Sequence, residues 1–340
     1  MAGAPWGGRQ AEFPNTLLLS FYIAGVRTVK RCIPVNNTFF REVLLVNIKQ
    51  KHKNWLWAFL FIAPTVIGLY LFFLYPMVNS IYISLTKWNH LTKPVFVGLT
   101  NYRNLVKDPV IKAELGNTLL FVVTMVPVII ITALFLANTL NIKSRLTGFF
   151  RTVFFLPYVL LPVVTAQVWL IMFNSKYGLI NGLLGMMGLP QPVWLSNAIL
   201  VRVIIVIVGL WASVGYYAII ILAGLQNISE QYYEACELEG GSSWHKFFHI
   251  TIPLVTPQLF FSAIIAVIST FKMFDYIFIF GKDNIFVREN IRNMAYGIYE
   301  RGFTYLDMGY ASAEAMVFCA LILIVTVIQN VGQKKWVHYG

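Results

Sequence analysis

Long apolar runs dominate this chain, at about residues 55–84, 117–140, 149–173, 199–224, 253–280 and 310–331. About 20 mainly apolar residues cross a hydrocarbon core as a helix, the conformation that pairs every backbone polar group within the segment. The runs are continuous, whereas barrel strands alternate over about ten residues. They predict an all-α membrane protein whose six transmembrane helices form one domain over 55–331. Only 12% of the residues are charged, roughly half the share in soluble domains, and the charges gather between the runs.

The net charge of +12 is carried by basic residues at the ends of the runs. They form no stripe interleaved with stacking aromatics, so lipid headgroups suit them better than nucleic acid. Cys32, Cys236 and Cys319 lie far apart and show no CxxC or metal spacing, which supports neither a disulfide framework nor a zinc site. In residues 1–54 the short run Leu17 to Val26 is followed by Arg27, Lys30 and Arg31, the reverse of a signal peptide. This segment reads as a basic, interfacial, cytoplasmic extension, and 332–340 as a cytoplasmic tail. Six spans place both termini on one side together with 141–148 and 225–252. Between the outer loops and the inner flanks of the spans, Lys and Arg divide ten against ten, so charge bias leaves the orientation open, although the dense 141–152 turn leans cytoplasmic.

The loop 225–252 concentrates Glu230, Glu234, Glu237 and Glu239 ahead of Gly240-Gly241. Ser229 is placed to cap a helix running to about Glu239. Gly240 and Gly241 permit a sharp turn. Ser242 or Ser243 then caps a second short helix, Trp244 to Ile250, and Pro253 suits the first turn of the next span. The expected shape is an elbow of two short helices, acidic on one face and aromatic (Tyr233, Trp244, Phe247, Phe248) on the other. Either it docks into a groove on a soluble partner, or it is a solvated loop whose charges keep it wet.

The same residues resemble the coupling motif of binding-protein-dependent ABC importers, E-A-A-x3-G-x9-I-x-L-P. Here it reads Glu234-Ala235-Cys236, Gly240, Ile250 and Pro253 with every spacing kept. Cys236 replaces an Ala, Ile252 a Leu, and Glu239-Gly240-Gly241 the usual Asp-Gly-Ala, a change expected to loosen the turn. The resemblance implies a cytoplasmic loop, with both termini on that side, seated on an ATPase subunit. Glu234 would pair with a basic group there, and Ala235, Cys236, Glu239, Gly240, Gly241, Ile250 and Pro253 would complete the coupling surface.

Further stretches are similar to the carbohydrate branch of that family, the MalF-type sugar permeases: "FLYPMVNSIYISL" (72–85), "FVGLTNYRNLVKDP" (96–109), "FFRTVFFLPYVLLPVV" (149–164), "MFNSKYGLINGLL" (172–184) and "FKMFDYIF" (271–278). "IFGKDNIF" stands where that branch has Gly-Gly-Pro. The resemblance implies a type I ABC importer permease fold in a bacterial inner membrane. Its partners would be a second permease, two ATP-binding cassette subunits and an extracytoplasmic solute-binding protein. Alignment to the branch puts sugar contacts at Tyr158, Pro162, Tyr216, Thr270 and Met273; helical spacing adds Gln167, Trp169, Trp211 and Tyr217. Each aromatic has packing or the interfacial belt as its plainer role. Lys272 and Asp275 can pair at i, i+3, or Lys272 or Arg202 can meet an acidic sugar.

No GxxxxGK[ST], GxSxG or HExxH occurs, so the expectation is a non-enzymatic subunit without a cofactor of its own, ATP and Mg being held by partners. His245 and His249 at i, i+4 have no evident third ligand and read as a helix surface. An ion-coupled secondary transporter needs acids within the spans, and the sequence leads one to expect almost none there. A membrane enzyme needs convergent titratable groups, and none stand out.

Overall fold

A computed structural model describes residues 55, 57–142 and 145–336, with side chains through Gln333. The extension expected over 1–54, residues 143 and 144, and 337–340 of the tail lie outside the described residues. The chain divides into two compact units, residues 1–76 and 77–340. Helix α1 (Trp57–Ser84) is long and apolar enough to span. Within the first unit it carries a π turn at Tyr70–Leu74 and exposes Phe59, Phe61, Phe72 and Phe73, as a lipid-facing helix does.

In the second unit, strands β1 (Thr86–Lys87) and β2 (Val95–Phe96) form a small antiparallel hairpin. Helices α2 (Thr100–Lys107), α3 (Pro109–Leu140), α4 (Thr147–Val159), α5 (Pro162–Met172), α6 (Leu179–Met186) and α7 (Ala198–Gln226) follow. After them come α8 (Glu230–Leu238), α9 (Ser243–Lys246), α10 (Ile252–Phe271), α11 (Asp275–Gly281), α12 (Ile285–Ile291), α13 (Met294–Tyr299) and α14 (Met308–Trp336). Asx side chains start the main helices: Asp108 Oδ1 accepts from the Val110 N–H at 2.8 Å, and Asn197 Oδ1 from Ile199 at 2.9 Å. Each satisfies amide donors that the helix start leaves free.

Among the described residues five helices qualify as spans, α1, α3, α7, Ser243–Gly281 and α14, and the bent pair α4 and α5 makes a sixth. The single helix expected over 149–173 is therefore corrected: it bends by 96°. The cause is local. Leu160 and Leu161 take extended angles, and the residue before a proline, here Leu161, is pushed out of the helical region.

The core is a close pairing of α3 with α7, with α10 across both and α4 along α7. Small side chains let the helices approach: Ala133, Ala137 and Ala218 are fully buried. A Cβ on Gly215 of α7 would overlap the Phe154 carbonyl oxygen of α4.

The end carrying α12 and α13 holds an ionic network that the sequence reading did not foresee. Glu114 in α3 and Glu314 in α14 have no exposure to solvent. Arg292 Nη2 lies 2.6 Å from Glu114 and 2.8 Å from Glu300. Arg301 Nη1 bridges Glu114 at 3.0 Å and Glu314 at 2.8 Å. Acids within the spans are thus present, which corrects the expectation of near absence, but arginines hold them. Burial lowers the Arg292 and Arg301 guanidinium pKa values, the adjacent carboxylates raise them more, and the net direction is up. Next in sequence, Asn293 donates to the Met273 carbonyl at 2.6 Å, tying this network to the end of α10.

Candidate coupling elbow and translocation cavity

The elbow is built from α8, α9 and the turn between them. Gly240 has φ +81°, the left-handed region open to glycine. Its N–H donates to Glu237 O at 2.9 Å and that of Gly241 to Cys236 O at 2.8 Å. This pair of bonds is a Schellman closure, which satisfies the last carbonyls of α8. Ser242 Oγ caps α9 by accepting from His245 N at 3.2 Å. Ser229 sits at the start of α8 but makes no side-chain capping bond, so the expected Ser229 cap is corrected. Tyr233 and Thr251 hydroxyls meet at 3.1 Å, and Lys246 pairs with Glu237, bracing one short helix against the other.

The second short helix does not stop before Pro253. A π turn, Phe247–Thr251, carries it straight into α10, with Ile252 N–H bonded to Phe247 O. The wider turn accommodates a proline that has no N–H to give. Phe247 also stacks on Phe135 of α3, centroids 6.2 Å apart. Leu238 is 90% exposed and Trp244 70%, and Glu234 and Glu239 lie exposed beside them. Ile250 and Pro253 are half-buried at the root. Large apolar groups left in water next to acids mark a docking face more than a solvated loop.

Deeper in the unit, the bend between α4 and α5, the middle of α7 and the end of α10 enclose a cavity of about 230 Å³. Tyr158, Tyr217, Thr270, Lys272, Met273 and Asp275 are among its lining. Tyr158 stacks almost parallel on Tyr216, centroids 4.3 Å apart and planes at 10°. α10 ends at Phe271 and α11 starts at Asp275, so Lys272 and Asp275 flank a break in the helix.

The binding-protein-dependent transport system inner membrane component family matches residues 114–337. The chain belongs to this family. Its relatives include a probable ABC transporter permease, YesP, of Bacillus subtilis (strain 168), 32% identical over 84% of this chain and 93% of the other. The lactose transport system permease LacF of Rhizobium radiobacter is 33% identical over 80% of this chain and 92% of its own. An arabinooligosaccharides transport system permease of Bacillus subtilis, AraP, is 30% identical over 79% and 86%. In fold, the permease matches a chain of a bacterial alginate ABC transporter in complex with an alginate pentasaccharide-bound periplasmic protein. The TM-score is 0.76 and identity 19%, covering 86% of this chain and 98% of that one.

Of the residues read from sequence as a substrate path, the permease gathers Tyr158, Pro162, Tyr217, Thr270, Lys272 and Met273 on the cavity. Tyr216 stands behind Tyr158. Trp169 and Trp211 meet edge to face at 5.6 Å outside that lining, and Gln167 is exposed elsewhere on α5. Arg202 donates to the Asn290 carbonyl at 3.0 Å and does not line the cavity. The expected Lys272–Asp275 ion pair is absent among the described residues, because the helix break removes the i, i+3 geometry. His245 and His249 stack at 4.1 Å. Ser213, Ser269 and Tyr276 also line the cavity and were not anticipated; the helix break that turns Tyr276 towards it left no sequence signal.

Proposed function

We propose that this permease is one membrane subunit of an ATP-driven saccharide importer in a bacterial inner membrane. The observation that carries the reading is the elbow, an exposed acidic and apolar knuckle continuous with a helix that ends at the cavity. Both termini are cytoplasmic in this reading. A second permease completes the pathway, two ATP-binding cassette subunits hold ATP and Mg, and an extracytoplasmic binding protein delivers the solute. This chain performs no hydrolysis. The named relatives transport lactose and arabinooligosaccharides, which supports a carbohydrate cargo, and so does a cavity pairing tyrosine rings with hydroxyls.

Closure of the ATPase pair moves the seated elbow. Ser243 to Phe271 moves with it as one rod, and the end of α10 shifts the cavity wall. Glu234 makes the charged contact with the ATPase, and Gly240 sets the knuckle angle. An ion-coupled secondary transporter is less well supported, since Glu114 and Glu314 are already bound by Arg292 and Arg301.

Reconstitution of the chain with its second permease and ATPase subunits in proteoliposomes tests this. Saccharide uptake should require ATP and the binding protein. Accumulation by this chain alone, driven by an ion gradient, overturns the reading.

A further inference from the structure

We propose that the cavity selects an uncharged saccharide, with Lys272 and Asp275 acting together as a clamp on its hydroxyls. The inference rests on the saccharide reading above and adds the charge class of the cargo.

The break that creates the clamp is a fixed feature. Lys272 closes α10 at φ −79°, ψ 4°, and Phe274 (φ −120°, ψ −52°) precedes α11. Asn293, 1% exposed, holds the intervening Met273 carbonyl at 2.6 Å. Asn293 in turn follows Arg292, which is locked to Glu114 and Glu300. Lys272 and Asp275 therefore both line the cavity while making no ion pair with each other among the described residues. An ammonium keeps its donors and a carboxylate its acceptor sites for a guest.

The charges in the lining sum to zero. One cation and one anion face the space, and the other polar side chains are the hydroxyls of Tyr158, Ser213, Tyr217, Ser269, Thr270 and Tyr276. Arg202, the other cation considered for an acidic cargo, is engaged by Asn290. Vicinal hydroxyls satisfy both charged groups at once, donating to Asp275 and accepting from Lys272, while a sugar's C–H face rests on Tyr158, itself backed by Tyr216. A uronate is drawn to Lys272 but repelled by Asp275, and leaves that carboxylate without donors. An amino sugar meets the converse conflict.

The assembled complex in nanodiscs, without binding protein, can be probed by saturation-transfer NMR. The ligands are a neutral panel (maltotriose, cellotriose, xylotriose, arabinotriose) and trigalacturonate. The strongest neutral ligand should exceed trigalacturonate by about fivefold or more, a difference near 1 kcal/mol. Asp275→Asn should narrow that ratio and Lys272→Gln should widen it, opposite shifts that a packing defect does not produce. Trigalacturonate binding as well as the neutral panel, or a ratio that neither variant moves, overturns the clamp and leaves the importer reading standing. No signal from any saccharide counts against the saccharide reading, and the clamp falls with it.

Discussion

Cys236 Sγ occupies the space where a Cβ on Gly241 would sit. The family motif carries alanine at both positions, and this permease departs at both together. The larger side chain at 236 and the missing one at 241 fill one volume. Gly241 consequently fits the turn around Cys236, where the sequence alone suggested a loosening.

Gly241→Ala alone should strain the elbow by about 1–3 kcal/mol, the usual cost of overpacking, and lower ATP-driven uptake. Cys236→Ala alone should be nearly silent, and the double substitution should recover part of the uptake, the Cys236 carbonyl oxygen still lying 2.9 Å from the added methyl. A double-mutant cycle on uptake and melting temperature measures the coupling; additive effects would refute the shared volume.

Glu234 lies exposed on the elbow, so Glu234→Lys should leave the melting temperature of the purified permease unchanged. Uptake and transport-linked ATP hydrolysis should fall at least about tenfold, as loss of a charged hot-spot contact does. Unchanged coupling would remove the elbow from the mechanism.

Gly215 gives α4 its close approach to α7. Gly215→Val should force the Phe154 carbonyl away at a cost of about 2 kcal/mol or more. It should lower the melting temperature and alter the cavity wall carrying Tyr158. Detergent thermal unfolding and uptake report the two effects.

Arg301→Met should destabilise by about 3–5 kcal/mol, because it leaves Glu314 buried without a counter-charge and Glu114 held by Arg292 alone. Losing the exposed Lys246–Glu237 pair should cost far less. Both Arg292 and Arg301 have raised folded-state pKa values. Their stabilising contribution is therefore complete below the unfolded guanidinium value and is lost only as pH rises through the folded one, far above neutrality. Stability arising from these arginines should stay flat between about pH 6 and 9, checked by melting curves across that range.

The spans were legible because a lipid-crossing helix announces itself by length and apolarity. The elbow was legible because its glycines, serines and acids act within a few residues of one another. Two features escaped for physical reasons. The bend at Leu160–Leu161 lies inside an unbroken apolar run, where hydropathy carries no angular information. Arg292 and Arg301 meet Glu114 across 178 and 187 residues, a pairing that no local pattern encodes. The helix break at Lys272 was hidden in the same way, since what holds it open is Asn293, 20 residues beyond Met273.

The π turn at Phe247–Thr251 leaves no joint between knuckle and membrane. On the importer reading proposed above, a push at Trp244 would travel along this one hydrogen-bonded helix to its end at Phe271. Engine and gate would then be two ends of a single shaft, and the break after Phe271 would be where it yields.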